Sequence, residues 1–92
     1  MAEGNYNPDL ITKTITETTD NTGNILLTDI SPANAILISA VQLRNAGKEG
    51  ALCFCFPCQN YSDSTYLIHV VGSDLTTQAN KTFAIRYTYR PK

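Results

Sequence analysis

A chain of 92 residues and 10.1 kDa supports one domain and excludes two independent cores, because chains this short bury only about 60–65% of their unfolded surface. Hydrophobic residues make up 42% and charged residues 16%, which is not the charged, aliphatic-poor composition of a disordered chain. A net charge of −1 with no basic cluster argues against nucleic acid or an anionic membrane as partner, and no apolar run approaches the ~18 residues of a membrane span. The polar start, Met1 to Pro8, lacks the basic flank and apolar stretch of a secretory signal.

Turn-forming clusters divide the chain: 20–24, 29–34, 45–50, 59–64 and 72–80. Residues 1–9 read as an extended polar lead-in or connector, and residues 10–92 as one β domain. The first run, 10–18, alternates with period two: Thr12, Thr14, Thr16 and Thr18 on one face, Ile11, Lys13, Ile15 and Glu17 on the other. The second, 24–28, is short and follows an Asn-Thr-Gly turn, which allows a hairpin with the first run through a longer loop. The third, 35–44, is apolar on both faces. Strict alternation puts Leu37, Ser39, Val41 and Leu43 opposite Ile36, Ile38 and Ala40. A strand apolar on both faces is covered twice, by its own fold or by a neighbouring subunit.

The fourth run, 51–58, sets Phe54 and Phe56 against Cys53 and Cys55. Pro57 cannot donate to a ladder, so the strand ends, bulges or lies at an edge there. The fifth, 65–72, opposes Tyr66, Ile68 and Val70 to Leu67, His69 and Val71. The sixth, 81–90, opposes Phe83, Ile85, Tyr87 and Tyr89 to Thr82, Ala84, Arg86, Thr88 and Arg90. Short strands with regularly spaced turns predict an all-β fold: a small antiparallel β-sandwich, jelly-roll or immunoglobulin-like, of about six to eight strands.

Candidate chemistry is sparse. Cys53, Cys55 and Cys58 with His69 have the composition of a Cys3His zinc set, but there is no second well-spaced pair, and Cys58 falls on the opposite strand face from Cys53 and Cys55. Buried thiols acting as small hydrophobes are the simpler reading, so no metal or other cofactor is expected. The carboxylates lie mostly in turns, where short acidic side chains bond nearby backbone. No pair has catalytic spacing and no nucleophile motif is present, so no enzymatic activity is expected. The loop from Asn60 to Ser64 combines an aromatic ring with several donors and acceptors, the mixture suited to a sugar. Asn60, Tyr61, Asp63 and Tyr66 are therefore the candidate ligand-binding residues.

The run Asp20-Asn21-Thr22-Gly23-Asn24-Ile25, the stretch from Ser31 to Ala40 and the closing strand from Asn80 to Tyr89 together resemble the C-terminal head domains of tail-fibre and baseplate receptor-binding proteins from phages and prophages of Gram-positive bacteria. The likeness covers most of residues 12–90; the cysteine cluster and Pro57 depart from it. The resemblance implies a non-enzymatic head domain that assembles as a homotrimer, contacts other tail or baseplate proteins and attaches to host-surface saccharide. It also implies a place in the virion tail after synthesis in the bacterial cytoplasm. The alternative is a small cellular carbohydrate-binding or adhesin-type β-sandwich module, a monomer with one aromatic site.

Overall fold

A computed structural model describes residues 9–43, 53–60 and 62–92. Tyr61 and the turn expected at 45–50 lie outside the described residues. Six strands are present: β1 (Ile11–Thr18), β2 (Asn24–Leu27), β3 (Ala35–Gln42), β4 (Cys53–Asn60), β5 (Thr65–Gly72) and β6 (Thr82–Pro91). They form two antiparallel three-stranded sheets, ordered β1-β6-β3 and β2-β5-β4, with no helix among the described residues. The all-β, sandwich-like architecture agrees with the sequence pattern.

The core follows from period-two alternation. β1 and β6 pair in unbroken register from Ile11 opposite Tyr89 to Thr18 opposite Thr82. This aligns the two inward faces, and Phe83, Ile85, Tyr87 and Tyr89 are buried against Ile25, Leu27, Ile68 and Val70 of the other sheet. Burial of each such side chain contributes about 1.5–3 kcal/mol. The outward threonines pair across the same strands, with hydroxyl contacts of 3.1 Å for Thr12–Thr88 and 2.7 Å for Thr18–Thr82.

The β1–β2 hairpin that the turn allows does not form. β1 pairs with β6 along its whole length, and four-residue β2 pairs with β5. The turn between them carries the chain across to the other sheet. Asp20 Oδ1 accepts bonds from the backbone and hydroxyl of Thr22 (2.8 and 2.6 Å) and from the Asn24 amide (3.0 Å). Gly23 adopts φ +81°, and a Cβ there would lie 2.5 Å from Thr77 Cγ2, so this crossing depends on glycine. Ten-residue β6 pairs with all eight residues of β1, which four-residue β2 could not do, and Ile25 and Leu27 of β2 are buried in the core.

Strict alternation in β3 also gives way. A register shift between Leu37 and Ser39 resets the strand, so Leu37, Ala40 and Gln42 oppose Tyr89, Tyr87 and Ile85. Ser39 and Val41 now share a face with Ile36, opposite the outward Thr88, Arg86 and Arg90. β4 continues through Pro57, which pairs with Ile68, and lies at the sheet edge, where the missing N–H is tolerated.

Candidate functional site

Four turn residues share one chemistry. The side-chain oxygens of Asp20, Asn60, Asp63 and Asp74 each accept from a hydroxyl two residues ahead, at 2.6–2.8 Å. Asp20 and Asp74 are held below the usual carboxylate range chiefly by those hydroxyls, from Thr22 and Thr76. These groups serve their own turns.

That use bears on the residues singled out from sequence. Asn60 Oδ1 accepts from the amide and hydroxyl of Ser62 (3.1 and 2.8 Å), and Asp63 Oδ1 from the Thr65 hydroxyl (2.7 Å). Tyr66 points inward: its ring is buried and its hydroxyl donates to the Ala35 carbonyl at 2.9 Å, tying the two sheets together. Tyr66 is thus a core residue with one edge on a depression beside Ile36, Pro57 and Gln59. Tyr61 lies outside the described residues.

The cysteines and His69 do not converge. Cys53 and Cys55 oppose Gly72 and Val70 on the inner face, whereas Cys58 opposes Leu67 on the outer. His69 Nδ1 is 2.7 Å from Asn24 Oδ1. No group of three His, Cys, Asp or Glu side chains is placed to hold a metal ion among the described residues. All three cysteines are thiols, and burial pushes Cys55 up to about 11, which keeps it protonated and unreactive.

Asp29 behaves differently from the turn carboxylates. It follows β2 and reaches across to the other sheet. Its Oδ2 accepts from Lys13 Nζ of β1 at 2.8 Å and from the Tyr87 hydroxyl of β6 at 2.6 Å. Lys13 and Tyr87 are cross-strand neighbours, so β1–β6 pairing brings both donors to one carboxylate. Lys13 Nζ also sits 5.7 Å from the centroid of the Tyr89 ring, which lies beside the Tyr87 ring at 6.1 Å.

The electrostatics are those of an ion pair at a partly wet edge, with side chains 45% (Lys13) and 35% (Asp29) exposed. Burial raises the Asp29 carboxyl, but hydrogen bonds from Lys13 and Tyr87 outweigh it and leave the group below its ordinary value. The bond to Asp29 raises Lys13. Burial, and next the neighbouring carboxylate, push the Tyr87 hydroxyl well above the usual phenol range. At neutral pH the site therefore holds one carboxylate, one ammonium and one neutral phenol.

These groups line a cleft of about 380 Å³ where the β1 and β2 edges diverge, with Thr14, Thr28 and Glu17 at its rim and Ile15, Leu26 and Leu27 as its apolar lining. This arrangement was obscured in the sequence because Asp29 sits in a turn cluster and resembles the other turn acids. The available signal was Lys13, a charge on the inward face between Ile11 and Ile15. No protein-family model, curated protein or solved structure matches the chain.

Proposed function

We propose that this chain is the head domain of a phage or prophage tail fibre or baseplate protein, acting without turnover to attach the virion tail to host-surface saccharide. The observation that carries the reading is the charge-paired cleft between β1 and β2. Its Asp29 acceptor and Lys13 donor stand 2.8 Å apart, a spacing suited to two adjacent hydroxyls of a sugar, one donating and one accepting. The apolar lining, Ile15 and Leu26, offers a surface to the C–H face of the ring. Tyr87 fixes Asp29 before the ligand arrives, which reduces the ordering cost of binding. A small open site of this kind binds weakly alone and gains through repetition in a homotrimer held by other tail proteins.

The nested strand pairing favours the jelly-roll form of the sandwich over the immunoglobulin-like one. β1 pairs with β6, β2 pairs with β5, and β3 faces β4 across the sheets, as in a rolled-up ribbon whose ends are the chain ends.

Titration with oligosaccharides from a host-surface panel, followed by amide chemical shifts, tests the glycan reading. Shifts centred on Lys13, Thr28, Asp29 and Tyr87, lost in Asp29→Ala, are expected. Shifts confined to 59–66 would move the site to that loop, and no shift with any saccharide at millimolar concentration would overturn glycan attachment.

A further inference from the structure

The cleft between β1 and β2 carries one charged group that the contacts described so far leave unused. Lys13, Ile15 and Glu17 follow one another at alternate positions of β1, and all three line the cleft. At ~3.3 Å per residue the Cα atoms of Lys13 and Glu17 stand about 13 Å apart, with Ile15 between them. Lys13 is paired with Asp29 at 2.8 Å. Glu17 is exposed and has no hydrogen bond or ion pair among the described residues. Of the other described carboxylates, Asp20, Asp63 and Asp74 are engaged by turn hydroxyls, and Asp29 by Lys13 and Tyr87; Asp9 stands at the start of the described residues, away from the cleft. Arg86 and Arg90 lie on the outer face of β6 and line no part of the cleft. Lys13 and Asp29 neutralise one another, so the described lining carries one net negative charge, at its Glu17 end.

We propose that the cleft takes a saccharide bearing a free amine, with hydroxyls at Lys13 and Asp29 and the ammonium at Glu17. The proposal rests on the glycan reading above and names the class of sugar within it. Charge decides the class. A sugar carrying a carboxylate or phosphate meets like charge at Glu17, and the cation of the cleft, Lys13, is already engaged by Asp29. A sugar carrying an ammonium meets a carboxylate that no other group of the described chain satisfies. Distance decides the size. One ring with its substituents does not reach from the Lys13–Asp29 pair to Glu17, whereas two linked rings do, and Ile15 lies between to receive their C–H faces. The recognised unit is therefore at least a disaccharide, with the amine on the ring beyond Ile15. Glu17 is open to solvent, so its ion pair with the ligand is weak and selects among sugars more than it anchors them. A charge on an edge strand also deters pairing with another chain, a role that is indifferent to the sugar and so separable from this one.

The test is an amide chemical-shift titration of the full chain with three disaccharides of one linkage: cellobiose, the corresponding disaccharide of glucosamine, and its N-acetylated form. Mildly acid buffer keeps the sugar amine protonated. The glucosamine disaccharide is expected to shift Glu17 as well as Lys13 and Asp29, and to bind about two- to fivefold more tightly than the other two, the advantage of one solvent-open ion pair. Added salt should shrink that advantage. Glu17→Gln, whose spectrum reports its fold directly, should abolish it, so that the three disaccharides bind alike. Equal affinity of the wild type for all three overturns the amine preference and leaves the glycan reading standing. So does an advantage that survives Glu17→Gln, because another group would then receive the amine. A glucosamine disaccharide that gives no shift while another saccharide binds the cleft has the same meaning, and a cleft that binds no saccharide at all overturns both.

Discussion

The two open sides of the sandwich are built from the same kind of parts and finish differently. Each is bounded by one edge strand from each sheet: β1 and β2 on one side, β3 and β4 on the other. On the first, the gap holds Lys13, Glu17 and Asp29, and Lys13 and Asp29 answer one another across the sheets. On the second, the described residues that line the gap are uncharged, and phenylalanines and β-branched residues stand in solvent. An inward-pointing lysine on an edge strand such as β1 resists pairing with another chain, and on β4 Pro57 removes one donor from the edge. One side is therefore polar and charge-paired, and the other apolar.

The largest effect on this contrast comes from removing its charged centre. In Asp29→Ala the Tyr87 hydroxyl loses its acceptor in a buried setting and Lys13 loses its counterion. A buried donor left unsatisfied costs about 1–3 kcal/mol, so urea unfolding should show a loss of roughly 2 kcal/mol. Lys13→Met, which breaks only the partly exposed ion pair, should cost at most about 1 kcal/mol. If both variants unfold like wild type, the carboxylate does not join the sheets in solution, and the cleft is not preformed.

A second difference appears in alkali. Tyr87 and Lys13 both have raised folded values. Their contribution is complete below the unfolded values of about 10 for tyrosine and 10.4 for lysine. Above these, the unfolded chain releases protons that the folded chain keeps, so stability falls as pH rises, by at most about 1.4 kcal/mol per pH unit for Tyr87. Tyr87→Phe removes the tyrosine share. Its stability should decline less steeply than that of wild type between pH 10 and the end of the accessible range, as followed by urea midpoints. Equal slopes would mean that Tyr87 ionises at the same pH in the folded and unfolded chains.

Most of the strand plan was legible in the sequence, because period-two patterns such as the one from Thr82 to Tyr89 state both the element and its face. Pairing was less legible. The Asp20–Asn24 turn has the composition of a hairpin but crosses between sheets, and only the long-range match of β1 to β6 reveals this. The β3 faces were hidden by a bulge, which inserts one residue without a compositional mark. The site was the least legible part. Tyr66 and Asp63 have the residue types of a binding loop, yet core packing and turn bonds already occupy them. Asp29 looks like one more turn acid until the fold brings Lys13 and Tyr87 to it from another sheet.

The smallest expected effect falls on the apolar side and separates folding from assembly. Phe54 and Phe56 are half exposed and face away from the core, so Phe54→Ser/Phe56→Ser removes little of what holds one copy together. At high dilution, where wild type is dissociated, the variant should keep its fold and lose only the packing of the half of each ring that is covered within one copy. At high concentration they should diverge. Association binds the folded state alone, so the wild-type melting temperature should climb with protein concentration while that of the variant stays flat. A variant that melts far below dilute wild type would place the rings in the monomer's own stability. Two flat profiles would mean that the phenylalanine ridge takes no part in any contact between copies.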